Sequence, residues 1–442
     1  MIIFLKIKVM KKCSKTILIP IETISRELDY KVYLAMLLST KGFQVLVGKK
    51  QSIYRLFDKF SDYIYLDKGY HQDVSDAIYD KIKANNGIIL NLDEEGAVDF
   101  PNNSTLLNRY SLKMLKVVDK VFLWGKSQKE MINTKHGGLT NLSVTGHPRF
   151  LLLKNKFFGL YNDDVASLKN TYGDFILVNT NFGFGNNIKG DKLVEKNYGS
   201  RFKNITKIIS EDKLKLKAII KLIDKLSNKN KIIVRPHPEE NIETYYKIYN
   251  RNSNVKILRE NSSIPWIMAC SKCIHIDCTT GIEAAIIGKR VISYVPDYID
   301  RELLTKLPLE VSEIFSSIQK IVTSISKNEK IKTNRHKALS NHFSINSDVE
   351  NLVDEIILFK EKTNAYSFFF KNRLAELIYL LKNLLRKFYL LFYTNPLEKS
   401  KLKNYNLKNF KCKFDFYKSQ IISFSKCELI KKGDIYVFKN YN

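Results

Sequence analysis

Short apolar runs of strand length alternate along this chain with longer amphipathic stretches. Residues 16–20 (TILIP) read as a buried strand. Residues 25–41 put Leu28, Val32, Ala35 and Leu38 on one helical face, and Gly42 follows as a stop. Strand-like runs recur at 43–47, 87–92 (GIILNL), 120–124 (KVFLW) and 142–145. The pattern restarts at 174–178 (DFILV), followed by a Gly/Asn-rich loop and an amphipathic helix over 211–227. Further strands are expected at 231–235 (KIIVR), 255–258, 273–276 and 291–295, with a short helix over 281–288. Strands separated by helices predict parallel sheets covered on both faces. No solenoid period is visible. The expected fold class is α/β, with two Rossmann-like doubly wound lobes and a cleft between them. The lobes are assigned to residues 1–155 and 156–364, with a basic amphipathic tail at 365–442. Ligands in such folds sit at the carboxyl ends of the strands.

The length, 442 residues, fits two domains plus a tail, and the 44% hydrophobic and 27% charged shares describe a globular chain. The formal charge of +28 points to an anionic partner: nucleic acid, a nucleotide donor or an anionic membrane face. Richness in Lys, Asn and Ile, as AT-rich coding produces, accounts for part of that charge. The six cysteines include one CxxC spacing, Cys270 and Cys273, without a second pair, and read as reduced thiols in a cytosolic protein. Lys6 and Lys8 interrupt the first apolar run, which is too short for a signal-peptide core or a membrane span. A cytoplasmic protein is expected, with at most peripheral contact to the inner membrane face.

The tail supports that contact. Residues 365–442 hold sixteen Lys/Arg against five Asp/Glu. On a helical wheel Leu374, Leu377, Ile378, Leu381, Leu384, Leu385, Phe388 and Phe392 share one face, and Lys371, Arg373, Lys382, Arg386 and Lys387 the other. Such a helix either lies on an anionic membrane or packs back on the body. In the first case, removing 365–442 leaves a folded, soluble protein.

Four loops after expected strands carry the candidate chemistry. Asp93-Glu94-Glu95-Gly96 offers clustered carboxylates, suited to a general base or to a solvated turn. Arg235-Pro236-His237-Pro238 restrains a histidine between prolines, where it can bind or neutralise a phosphate. In Asp277-Cys278-Thr279-Thr280-Gly281-Ile282-Glu283, two hydroxyls open a short helix. That is a phosphate seat or an ordinary N-cap, with Glu283 a candidate for ribose hydroxyls. The stretch Asn179-Thr180-Asn181-Phe182-Gly183-Phe184-Gly185-Asn186 lets backbone approach a ligand, and is neither a Walker loop nor a GxGxxG fingerprint.

Taken in order, an acidic-acidic-Gly motif, a His-Pro motif and a paired hydroxyl motif resemble the signature of bacterial sialyltransferases of GT-B fold. The strings PIETISRELDYKVYLAMLLSTKGFQVLVGKK, LDEEGAVDF, VFLWGKSQ, VTGHPRF and YGDFILVNTNFGFGN look like a broad family of bacterial surface carbohydrate biosynthesis proteins, related in layout to Kdo transferases. The resemblance covers most of residues 16–300 and excludes the tail. It implies a GT-B glycosyltransferase with an N-terminal acceptor lobe and a C-terminal donor lobe. The donor would be a CMP-activated ulosonic acid, and the acceptor a glycan or glycolipid. No cofactor and no metal are expected. Glu94 would be the base, with Asp93 as substitute, and Glu22 and Glu27 are reserve candidates. His237, Thr279 and Thr280 would hold the CMP phosphate. The motif departs from its relatives in having Thr-Thr rather than Ser-Ser, and His147 and Leu151 where Asn and Asp are expected. Two rivals stand beside this: a CDP-alditol phosphotransferase, and a non-catalytic nucleic-acid-binding protein. The chain shows no RNA-recognition or helix-turn-helix signature, and nucleic acid is not the expected partner.

Overall fold

The structure is a computed structural model. It describes residues 15–440 except 98, 200, 201, 203, 260, 261, 329–332, 334, 364–376, 379, 380, 383 and 387–400. Among the described residues two sheets form. The first is built on β1 (Lys15–Ile21), β2 (Phe43–Lys49), β3 (Ile64–Asp67), β4 (Ile88–Leu92), β5 (Lys120–Leu123) and β6 (Leu142–Val144). The second holds β7 (Ile176–Asn179), β8 (Ile232–Arg235), β9 (Val255–Ile257), β10 (Lys272–His275), β11 (Arg290–Tyr294) and β12 (Glu313–Phe315). Within each set neighbouring strands pair parallel: Ile17 opposes Val45, and Leu177 opposes both Ile233 and Cys273. The apolar runs are buried throughout, as two-sided burial of a parallel strand requires.

Strand order fixes where a ligand can sit. The first sheet runs β2-β1-β3-β4-β5-β6 and the second β12-β11-β10-β7-β8-β9. The chain therefore reverses direction across each sheet between β1 and β3, and between β7 and β10. Loops leaving the carboxyl ends at such reversals diverge and open a crevice. The four candidate loops follow β4, β7, β8 and β10.

The helix Ile24–Thr40 is buried along most of its length, and Gly42 leaves it at φ 85°, a left-handed conformation that suits glycine. One reason for that burial lies in the tail. Helix Leu407–Gln420 packs on Ile24–Thr40, and β13 (Cys427–Lys432) and β14 (Ile435–Asn440) form an antiparallel hairpin on the β2 edge, with Val437 opposite Leu46. Helix Val349–Ile357, placed by sequence with the second lobe, also packs on Ile24–Thr40. So residues 401–440 are not a detachable appendage. Their buried Phe410, Phe414, Tyr417, Phe424, Tyr436 and Phe438 belong to the first core.

The amphipathic stretch is described only in part, and Leu374, Phe388, Phe392, Lys371, Arg373 and Lys387 lie outside the described residues. Leu377, Ile378, Leu381, Leu384 and Leu385 are helical and exposed, as are Lys382 and Arg386. Among the described residues no helix is long and apolar enough to cross a membrane.

Candidate active site

A cleft of about 270 Å³ lies between the lobes. Arg26, Asp29, Tyr30, Glu95 and Arg149 line it from the first lobe, and Asn179, Thr180, Arg235 and His237 from the second. Thr279, Thr280 and Glu283 join them, as does Lys401 from the C-terminal segment.

On the second lobe the His-Pro and hydroxyl loops do converge on this cleft. The His237 ring is exposed to it, and His237 Nδ1 accepts from the Glu239 amide (3.3 Å), which assigns the proton of the neutral ring to Nε2. Partial desolvation between the walls, with Arg26 and Lys401 nearby, holds its pKa below the ordinary histidine value. The free protein therefore presents a neutral N–H donor, the hydrogen-bonding one of the two roles open to this histidine. Thr279 precedes helix Thr280–Ile287 without a side-chain capping bond, so neither hydroxyl is spent as an N-cap. Thr280 Oγ1 touches only the Cys278 thiol, at 3.1 Å, among the hydrogen bonds found. Arg235 lies over Trp266, its guanidinium carbon 5.1 Å from the ring centroid.

Two supports here were not visible in the sequence. Buried Glu240 accepts from the Thr180 hydroxyl (2.7 Å), from the amides of Phe182 (3.2 Å) and His237 (2.9 Å), and from the Tyr245 hydroxyl (2.5 Å). It thus ties the β7 and β8 loops together, and it occupies the Thr180 hydroxyl proposed for ligand. Gly183 backs onto His237, since a Cβ there would meet its Nδ1 at 3.7 Å. Asn179 lines the cleft, whereas Asn181 and Gly183 lie behind it, with Asn181 Nδ2 on the Asp277 carbonyl (3.4 Å). Gly281 is buried, and a Cβ there would fall 2.3 Å from His275 Nε2, so packing alone requires glycine.

Glu283 does not offer itself to a ribose. Arg149 Nε (3.0 Å) and Nη2 hold one oxygen and the Ser263 hydroxyl (2.9 Å) holds the other, joining the lobes across the cleft.

The acidic loop splits into three roles. Asp93 is buried, with Arg109 donating Nε (2.6 Å) and Nη2 to its carboxylate and the Glu95 amide donating at 2.8 Å. A carboxylate committed in this way is a poor substitute base, and Asp93 serves instead to fix the loop. Glu95 reaches the cleft, but Arg26 (3.5 Å) and Arg109 (3.7 Å) outweigh its burial and bring its pKa down to about 2. Glu94 is buried behind Tyr30, whose hydroxyl donates to Oε1, with Lys31 Nζ at 3.1 Å. Burial pushes its pKa up, and the surrounding cationic side chains, Lys31 first, together outweigh burial to leave it below the ordinary range. Its other oxygen has no hydrogen-bond partner and faces His147 Nε2 at 3.8 Å. His147 Nδ1 accepts from the Arg149 amide (3.1 Å), so Nε2 carries the proton; burial lowers its pKa to about 4, and the ring is neutral at pH 7. Gly96 is dictated by Gln128 and Trp124, since a Cβ would fall 2.6 Å from Gln128 Nε2 and 3.0 Å from the indole.

The reserve carboxylates are engaged as well. Glu27 is fully buried, salt-bridged to Lys31 (2.6 Å) and Lys68 (3.0 Å), and accepts from the Thr23 amide, which makes it a structural hub. Glu22 pairs with Lys68 (3.1 Å) and Lys50 (3.4 Å), which outweigh burial and hold its pKa to about 2. Among the described residues no cluster of His, Cys, Asp and Glu is arranged to hold a metal.

With that geometry in view, comparison with solved structures is informative about the fold. The wall teichoic acid polymerase TagF, in a variant soaked with CDPG, is similar to 79% of this chain over 89% of its own, at 9% identity and a TM-score of 0.50. The chain has the GT-B fold. UDP-GlcNAc 2-epimerases from Methanocaldococcus jannaschii (12% identity, 78% of this chain and 100% of that one, TM-score 0.49) and Neisseria meningitidis (13%, 79% and 100%, 0.47) are also found. No protein-family model matches the chain, and no curated protein does. Tyr30, Arg26, Arg149 and Lys401 are cleft residues that sequence reasoning missed: the first three lie in strings that carry the resemblance but receive no role from it, and Lys401 lies in the tail.

Proposed function

We propose that this protein transfers an ulosonic-acid-type sugar, sialic-acid-like or Kdo-like, from a CMP-activated donor to a hydroxyl of a surface glycan such as capsule or lipopolysaccharide. The observation that carries this reading is that His237, Thr279 and Thr280 line one cleft whose opposite wall holds Tyr30 and, behind it, Glu94. The acceptor hydroxyl loses its proton to the Glu94 side as its oxygen bonds to the anomeric carbon. The bond from that carbon to the phosphate oxygen breaks, and the phosphate keeps the electron pair. His237 Nε2–H, the two threonine hydroxyls and the start of helix Thr280–Ile287 then face the departing charge.

Each charge-assisted hydrogen bond to the phosphate is worth roughly 1.5–3 kcal/mol. His237→Ala should therefore weaken CMP binding by about tenfold or more, since 1.4 kcal/mol is a factor of ten. Cytidine, which lacks the phosphate, should bind both proteins equally. Calorimetry with both ligands decides the matter: equal losses would remove His237 from the phosphate seat, and no CMP binding by wild type would remove the donor class. A second donor to include is CDP-glycerol, because TagF was soaked with CDPG and a phosphoalditol transfer would use the same seat. Turnover of CDP-glycerol but not of CMP-sugars would replace the first reading by the second.

We place the acceptor at an anionic membrane face. Support comes from the exposed Leu377, Ile378, Leu381, Leu384 and Leu385 beside exposed Lys382 and Arg386. The intact protein should sediment with anionic but not with neutral vesicles, and Leu381→Glu with Leu385→Glu should abolish this. Unchanged sedimentation of that double variant would refute the assignment.

A further inference from the structure

A carboxylate that accepts the acceptor's proton must be reachable from the cleft, and Glu94 is not among the residues that line it. Tyr30 is, and its hydroxyl donates to Glu94 Oε1. The other carboxylates on this wall are committed. Glu95 sits between Arg26 and Arg109, and Asp29 accepts from the Tyr161 hydroxyl (2.6 Å) and pairs with Lys413 (3.3 Å). On the far wall Glu283 is held by Arg149 and Ser263, and Glu239 belongs to the His237 loop.

We infer that Tyr30 is a further catalytic residue, the proton relay through which Glu94 acts on the acceptor. This rests on the reading of Glu94 as the base. In the step, the acceptor O–H gives its proton to Tyr30 Oη while Tyr30 passes its own proton to Glu94 Oε1. The acceptor oxygen bonds to the anomeric carbon, and CMP leaves with the electron pair of the broken C–O bond. After product departs the two transfers reverse, and the proton reaches solvent through the cleft.

The surroundings suit a relay better than a free phenolate. Burial and then Glu94 push the Tyr30 pKa well above its ordinary value, so a concerted hand-over avoids an ionised tyrosine. Lys31 Nζ, anchored by Glu27 (2.6 Å) and the Pro20 carbonyl (2.6 Å), keeps Glu94 ionised, so that Oε1 accepts the Tyr30 hydrogen bond. The His147 ring meets Tyr30 edge-on, with centroids 5.1 Å apart, and holds the phenol in place.

The test reads CMP release from CMP-N-acetylneuraminate and CMP-Kdo, with water as acceptor, together with CMP affinity and melting curves. Tyr30→Phe removes one hydroxyl and keeps the ring. Tyr30→Phe and Glu94→Gln should each lower kcat by about a hundredfold or more, with CMP affinity unchanged. The double variant should fall no further, because the two residues act as one unit. Wild-type turnover by Tyr30→Phe beside a slow Glu94→Gln would overturn the relay and leave the base. Losses that multiply in the double variant would also overturn it. Full activity in both single variants, or a slow Glu95→Gln beside a fast Tyr30→Phe, would overturn the base assignment. No CMP release by wild type would overturn the donor reading and the relay with it. Should Glu94→Gln fail to fold, Tyr30→Phe carries the test by itself.

Discussion

A chain ending at residue 400 should fail to fold into a soluble protein. The segment that composition sets apart as a tail closes the first lobe. β14 bonds to β2 through Ile435–Phe438, so truncation exposes a long edge strand that would pair with other chains. Helix Leu407–Gln420 covers helix Ile24–Thr40, and six aromatic residues between 410 and 438 are at most 6% exposed. Phe410 stacks on Tyr436 with ring centroids 3.6 Å apart, and Tyr417 and Phe424 meet Tyr33 edge-on. Losing one buried phenylalanine side chain costs roughly 3–5 kcal/mol. A typical domain has only about 5–15 kcal/mol in hand. The measurement is the soluble yield and circular dichroism of 1–400 against the full chain. A soluble product melting at the wild-type temperature would show that the hairpin is dispensable, as composition alone had suggested. Phe410→Ala should give a milder version, folded but with a lowered melting temperature.

That contrast shows what sequence pattern reports. The parallel strands were legible because burial on both faces demands continuous apolar runs such as GIILNL and DFILV. β3 (IYLD) was missed, since its Asp67 is a buried acceptor for the Tyr79 hydroxyl (2.6 Å) and breaks the run. The hairpin was hidden by its own lysines. Lys431 and Lys432 lie on the edge strand β13, where charge discourages pairing, and with Lys439 on β14 they dominate the local composition. At the site, the motif loops all leave the carboxyl ends of strands, but the partners that engage their side chains are not local in sequence. His237 and Thr279 stand where a doubly wound lobe must bring them. Which of three adjacent carboxylates meets a cation, a tyrosine or the cleft depends on Arg109, Tyr30 and Arg26, and Tyr30 lies 64 residues from Glu94 in the chain. No local pattern encodes such a pairing.

Arg109→Ala should then be the most damaging single change near the acidic loop. Arg109 and Asp93 are both nearly sealed from solvent, with side chains 4% and 1% exposed, and the guanidinium grips both carboxylate oxygens. Removing it strands a buried anion whose desolvation is no longer offset, a change that costs about 3–5 kcal/mol. Urea unfolding followed by tryptophan fluorescence reads this directly, because Trp124 Nε1 donates to the Asp93 carbonyl at 2.7 Å. Adding Asp93→Asn should restore much of the lost stability, since the stranded charge goes with it. By contrast Lys113→Ala, which breaks the exposed pair with Asp76, should leave the midpoint where it was. A midpoint for Arg109→Ala that matched Lys113→Ala would mean that solvent reaches Asp93 and that the loop is not held by this pair. If the pair does hold it, the single variant should also release CMP slowly, while Arg109→Ala with Asp93→Asn regains stability without regaining rate. The guanidinium does more than neutralise Asp93: it also faces Glu95 at 3.7 Å, and so holds the carboxylates on either side of Glu94.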